Sequence, residues 1–182
     1  MTLNYWAIGF LWGSSRPSGD YFLVQNMDKK LLVRLKDIIL IENKIFETET
    51  NQGNISYRLK INKDHKYIQH MLSNGYKSRM RNEERHAPQS LNKDNEHEFL
   101  KGYFCTHFSY DFVTRIGKLV PRLRFYASYN ILDMLNKHLH KELDTTIKKI
   151  GNHSSSDVCK ILYYQSKKEI DRIIPYMDLN IY

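Results

Sequence analysis

Hydrophobic and polar positions change period several times along this chain, and each change marks an element. From Asn4 to Gly13 apolar residues occupy nearly every position, which predicts a helix buried on all sides rather than an amphipathic one. Arg16–Pro17–Ser18–Gly19 reads as a turn and Tyr21–Asn26 as a strand. Asp28 reads as the N-cap of a helix whose Leu31, Leu32, Leu35, Ile38 and Ile39 keep helical spacing. Between Lys44 and Asn62 two extended runs flank Asn51–Gln52–Gly53–Asn54, a hairpin signal. The second run alternates: Ile55, Tyr57, Leu59 and Ile61 make an apolar face, and Ser56, Arg58, Lys60 and Asn62 a polar, basic one. Asp64 then opens a helix through Tyr67, Ile68, Met71 and Leu72, stopped by Asn74–Gly75.

The same order returns in the second half. A helix is expected over Glu96–Phe108, extended runs at Phe112–Ile116 and Pro121–Ala127, a helix over Asn130–Leu143, a hairpin over Gly151–Ser156 and a helix over Ser166–Met177. The copies overlay with drifting offsets, as a duplication with loop insertions does. Gly9 matches Gly102 at 93. Leu31, Leu32, Leu35 and Ile39 match Ile131, Leu132, Leu135 and Leu139 at 100, and Leu59, Ile61, Ile68 and Leu72 match Ile161, Tyr163, Ile170 and Ile174 at 102. Lys77–Asn95 is charged and polar with a single Pro88, so it reads as a linker. The expected organisation is therefore a first repeat over 1–76, a linker over 77–95 and a second repeat over 96–182.

Composition sharpens this picture mainly through charge. With 182 residues, 41% of them hydrophobic, the chain can bury a core, and its few glycines and prolines exclude collagen-like and disordered classes. The longest apolar stretch, Leu3–Gly13, is about half a membrane span and has no basic residue ahead of it, so the expectation is a cytoplasmic protein with no membrane partner. Cys105 and Cys159 lack CxxC spacing and fit a reducing compartment. The net charge of +8 disposes the chain toward polyanions. Lys and Arg exceed Asp and Glu in both halves, fourteen to nine before Leu91 and fourteen to eleven after it, so neither half is a separate basic tail.

Strand alternation selects the candidate contacts. Arg58 and Lys60 lie on the polar face of the first repeat. In the second, Arg122, Arg124 and Tyr126 alternate with Leu123 and Phe125, and Lys160 alternates with Cys159 and Ile161. A guanidinium on a β-ribbon can reach base edges, whereas lysines chiefly hold phosphates. His65/His70 and His138/His140 are spaced off a common helix face, and no metal site is expected. The chain has no Gly-rich phosphate loop and no GxSxG, and Ser154–Ser155–Ser156 reads as a hairpin tip. Gly9 and Gly13 are four apart, as are Gly102 and Thr106, so each opening helix presents a small-residue strip where another backbone can approach.

Those opening helices, Ala7–Ile8–Gly9–Phe10–Leu11–Trp12–Gly13–Ser14–Ser15 and Leu100–Lys101–Gly102–Tyr103–Phe104–Cys105–Thr106–His107–Phe108, resemble the motif helices of single-chain LAGLIDADG homing endonucleases. Phe99–Leu100–Lys101–Gly102–Tyr103–Phe104 is similar to the start of that family's second motif, and Ala87–Pro88 with its charged surroundings to its inter-repeat linker. The resemblance spans the chain. It implies an α+β fold of tandem pseudo-symmetric αββαββα repeats, whose two β-sheets form a DNA-binding saddle, in a monomer that binds double-stranded DNA. In the family the last acid of each motif holds divalent metal for phosphodiester hydrolysis. Those places are Ser14 and His107 here, and the first aspartates are replaced by Trp12 and Cys105. A hydroxyl and an imidazole do not replace hard anionic Mg²⁺ ligands, so the expectation is a sequence-preferring DNA-binding protein with no cofactor and no cleavage. A regulator or repressor of a phage or bacterial genome would fit. His107 itself could be a general base, a soft-metal ligand or a neutral filler. Two alternatives stay open: an active metal-dependent endonuclease, using Mg²⁺ at a site displaced to Asp20 or Asp111, and a protein-interaction module.

Overall fold

The computed structural model describes residues 3–50, 52–78, 84–153 and 156–181. The hairpin residue Asn51, residues 79–83 of the expected linker, and Ser154 and Ser155 lie outside the described residues. The first half contains α1 (Tyr5–Ser14), β1 (Ser15–Ser18), β2 (Tyr21–Asn26), α2 (Lys29–Ile39), β3 (Ile45–Glu49), β4 (Ile55–Asn62) and α3 (Lys66–Ser73). The second contains α4 (Lys93–Phe104), β5 (Phe108–Arg115), β6 (Lys118–Ala127), α5 (Tyr129–Leu143), β7 (Gly151–His153), β8 (Ser156–Tyr164) and α6 (Lys167–Tyr176). Each half builds one antiparallel four-stranded sheet, in the order β1-β2-β4-β3 and β5-β6-β8-β7. The fold class is α+β, with the αββαββα order occurring twice.

The chain packs as two compact units, Met1–Arg79 with Pro88–Thr106, and Met80–Ala87 with His107–Tyr182. Packing thus places α4, the helix that opens the second repeat, in the first unit. There α1 is buried from Trp6 through Gly13, which is why its sequence shows no polar face. Asn4 caps it, accepting from the Ala7 N–H at 3.1 Å. The sheet buries Phe22, Val24, Leu59 and Ile61, and Leu32, Leu35 and Ile39 of α2 and Ile68 and Met71 of α3 are buried with them. In the second unit Leu123, Phe125, Leu162 and Tyr164 of the sheet are buried, as are Ile131, Leu132, Leu135 and Leu139 of α5. The α2 and α5 positions overlaid at 100 are all buried except Leu31, which is half-exposed.

Four local expectations change. The turn signal at Arg16–Ser18 is a strand, β1, and Gly19, at φ +60°, starts the turn itself; Pro17 is tolerated because β1 is an edge strand with no second ladder to break. The helix at Glu96 starts earlier, on the cap Asn92, and ends at Phe104, because its first turn is polar and shows no apolar period. In β4 the alternation holds from Leu59 to Asn62 but inverts at the far end, where Ile55 is 52% exposed and Ser56 is 1% exposed. Hydrogen bonds from Gln25 Nε2 at 3.0 Å and with Thr48 Oγ1 at 3.0 Å account for the buried Ser56 hydroxyl. In β8 the buried residues are Leu162 and Tyr164, while Tyr163 is exposed, so the strand overlay at 102 is one residue out of register.

Candidate nucleic-acid interface

In the first sheet, register decides which side chains share a face. Gln25 pairs with Arg58, Leu23 with Lys60 and Tyr21 with Asn62; Arg16 pairs with Leu23 on one side, and Phe46 with Arg58 on the other. Directly opposed residues point the same way, so Arg16, Arg58 and Lys60 share one face with Tyr21, Gln25, Ser56 and Asn62. Among the described residues of these strands, no carboxylate lies on it: Glu47 and Glu49 fall on the other parity. Lys60 Nζ sits 4.5 Å from the centre of the Tyr21 ring. Hydrogen bonds from Ser18 and Lys60, with the Lys60 charge, hold the Tyr21 hydroxyl below the ordinary phenol range. Arg58 Nε is buried with no hydrogen-bond partner. Arg16, Tyr21 and Gln25 escape a reading of single strands, because β2 buries three successive residues, Phe22 to Val24, and β1 reads as a turn.

The second sheet gathers Ser109, Asp111, Arg122, Arg124, Tyr126 and Tyr163 on one face. Its electrostatics differ. Asp111 accepts from Arg122 Nε at 3.0 Å and Nη2 at 2.9 Å, and from Arg124 Nη2 at 2.7 Å. The hydrogen bonds from Arg122, with the charges of both arginines, hold the Asp111 carboxyl below its ordinary range. Arg124 Nε, like Arg58 Nε, is buried without a partner. Tyr126 shares a 2.9 Å hydrogen bond with Ser109. Lys160 does not join this face: it pairs with Ala127 and Asn152, takes the parity of Leu162 and Tyr164, and donates to Asn152 Oδ1 at 2.8 Å. The one-residue shift in β8 moved it.

At the opening helices, a Cβ added to Gly9 would lie 2.0 Å from Phe99 O, and one added to Gly102 would lie 1.9 Å from Trp6 O. The contact is reciprocal, each glycine meeting the carbonyl three residues before the other. Gly13 is buried in α1, and Thr106 follows α4. Ser14, the last residue of α1, shares a 2.9 Å hydrogen bond with Thr106 Oγ1. Trp12 is fully buried against the edges of Tyr76 and Phe99, and Cys105 Sγ donates to Gly102 O, so both former acid positions serve packing. His107 lies between α4 and β5, its carbonyl accepting from the Tyr126 N–H at 2.9 Å.

The displaced acids are also placed. Asp20 is exposed in the β1–β2 turn, a four-residue strand away from Ser14, or roughly 13 Å at ordinary strand rise. Asp111 is held by two guanidinium groups. Among the described residues no group of three His, Cys, Asp or Glu is arranged to hold a metal ion, and no helix is long and apolar enough to cross a membrane.

Two antiparallel sheets of this topology, each preceded in sequence by a helix with a close-packing glycine, define the LAGLIDADG homing-endonuclease fold. Solved structures agree. The LAGLIDADG homing endonuclease I-GzeII in complex with its DNA target superposes with a TM-score of 0.59 at 14% identity, covering 100% of this chain and 85% of that one. I-DmoI in complex with DNA and Mn gives 0.56 at 14% identity, covering 98% and 97%. Full-length DUF199/WhiA from Thermatoga maritima gives 0.60 at 13% identity, covering 99% of this chain and 57% of that one. No protein-family profile matches the chain, and no curated protein matches its sequence. The likeness is one of fold.

Proposed function

We propose that this chain is a monomeric, sequence-preferring double-stranded DNA-binding protein that uses the polar faces of its two sheets and does not cut its target. The observation that carries this reading is the first sheet's face, where Arg16, Arg58 and Lys60 stand with amide and hydroxyl groups and, among the described residues of these strands, no carboxylate. Such a surface matches a phosphate backbone, and arginines on β-strands reach base edges in a major groove. The second sheet adds Arg122, Arg124 and Tyr126. The complexes of I-GzeII and I-DmoI with DNA support the same use of this scaffold. The loss of acids at Ser14 and His107, with the Ser14 hydroxyl engaged by Thr106, supports binding without hydrolysis. Control of a phage or bacterial genome is the biological role that fits.

Titration of duplex and single-stranded DNA at several salt concentrations tests this. Duplex should bind better, and log K should fall steeply with log salt, by about 0.9 per phosphate neutralised. Salt-insensitive or absent binding would overturn the proposal. Incubation of the selected duplex with Mg²⁺ or Mn²⁺ should leave it intact. Metal-dependent cutting abolished by Asp20→Asn or Asp111→Asn would establish the endonuclease instead.

A further inference from the structure

The β5–β6 hairpin outruns its sheet. β6 pairs with β8 only from Leu123 to Ala127, whereas its ladder with β5 continues to Arg115 and Lys118. From Asp111 and Arg122 outward, the chain is a two-stranded arm. It closes on a two-residue turn, Ile116–Gly117, with both residues at positive φ, +49° and +72°. This turn type selects Asn, Asp or Gly in first place, since an L side chain is strained there and a β-branched one most of all. Ile116 is also fully exposed, at 103%. No packing within the described residues offsets the strain. In the first sheet the corresponding turn starts on Gly19, at φ +60°.

The arm has two unlike sides. Phe112, Pro121 and Leu119 continue the parity of the buried Leu123 and Phe125, yet Phe112 and Leu119 are exposed. Arg115 and Lys118 face each other across the ladder on the other side, in line with Arg122 and Arg124. Between Asp111 and Arg122 the sequence has no acid. The arm therefore extends the basic face already described and ends in a single strained, solvent-facing aliphatic group.

We infer that this arm is a wedge that kinks duplex DNA, with Arg115 and Lys118 gripping phosphates while Ile116 enters between two base pairs. The inference rests on the DNA-binding reading above. An apolar side chain inserted at a base step unstacks it, and the resulting bend brings more protein surface onto the duplex. A polar turn residue would satisfy the backbone better but could not stack against bases. Strain kept at an exposed tip, where no packing offsets it, points to a functional contact.

The discriminating variant is Ile116→Asn, which places a turn-favoured residue at the tip and should leave the thermal midpoint equal or higher. Binding is read on a long mixed-sequence duplex with energy-transfer labels at its ends and a fluorescent base analogue inside. The unaltered protein should shorten the end-to-end distance and brighten the analogue. Ile116→Asn should lose both signals and about tenfold in affinity, with an unchanged salt slope. Arg115→Ala with Lys118→Ala should do the reverse, lowering the slope by about two while whatever binds stays bent. If the unaltered protein binds and Ile116→Asn binds and bends equally, the wedge is wrong and the DNA-binding reading stands. If the unaltered protein does not bind duplex at all, both fall. Retention on anionic vesicles in place of DNA, lost in Ile116→Asn, would also overturn both and assign the tip to a lipid surface.

Discussion

The two sheets share a topology but handle their charge in opposite ways. On the first, Arg16, Arg58 and Lys60 share their face with no carboxylate among the described residues of the strands, and an aromatic ring lies beneath Lys60. On the second, Asp111 takes three hydrogen bonds from Arg122 and Arg124, two of them from Arg122. A duplicated scaffold therefore need not duplicate its surface. The first face leaves its positive charge uncompensated, which suits attraction of a polyanion. The second holds its guanidinium groups in fixed orientation at the expense of net charge, which suits discrimination more than attraction.

The harshest way to break the comparison is at the place where the repeats are alike. Gly9→Ala and Gly102→Ala each drive a methyl into a backbone carbonyl at about van der Waals overlap, 2.0 and 1.9 Å away. Each should cost at least about 4 kcal/mol in urea unfolding, and the two losses should be similar because the contact is reciprocal. A large disparity would show that the helices are not equivalent partners.

Next in size is an anchor in the second unit. Glu169 is buried and accepts from Lys148 Nζ at 2.8 Å and from the Thr146 N–H at 2.8 Å. Lys148→Ala should cost about 3 kcal/mol, since it leaves a carboxylate buried and unpaired. Burial alone would push the Glu169 carboxyl up, but the bonds from Lys148 and Thr146 outweigh it and hold the group below its ordinary value of 4.5. A depressed carboxyl contributes stability that is complete above that unfolded value and disappears as pH falls through the folded one. Acid titration of unfolding should therefore show a loss below pH 4.5 that Glu169→Gln flattens. A flat profile in the unaltered protein would remove the anchor.

Smaller effects sharpen the comparison at the surface. Arg58→Ala should relax base preference at one end of the selected site, and Arg124→Ala at the other, by about 2 kcal/mol each. If both lose preference at the same base pairs, the division of the site between sheets is wrong. Lys60→Ala should weaken all sequences alike and lower the salt slope by about one. The smallest effect has the opposite sign. Asp111→Asn should tighten binding to random duplex by about 1 kcal/mol and blunt discrimination by freeing Arg122 and Arg124 from their fixed orientation. Weaker binding to every sequence would show that Asp111 only props up the sheet.

Much of this was legible in the chain because it follows from local periodicity. The order of elements apart from β1, the Asp28 cap, the buried α1, the overlay of α2 on α5 and the paired glycines all rest on residues near one another in sequence or on side-chain size. Arg58, Lys60, Arg122, Arg124 and Tyr126 fall on polar sheet faces, as strand alternation indicates. Lys160 falls on the other face because one residue of slip in β8 exchanges its two faces, and a sequence overlay cannot feel cross-strand bonding. Arg16, Tyr21 and Gln25 join the polar face only through the ladder, since pairing alone assigns β1 and β2 a polar side.

Sequence alone determined the tandem α+β architecture and the replacement of the motif acids by Ser14 and His107, because both depend on residue identity at fixed spacing. Tertiary structure decided which charges stand alone. Asp111 is four residues from His107 in sequence, yet the register of β5 on β6 delivers it to Arg122 and Arg124, eleven and thirteen residues away. Hydrogen bonds between strands fix such encounters, and a guanidinium is open to DNA or closed by a carboxylate according to which residue lies across the ladder.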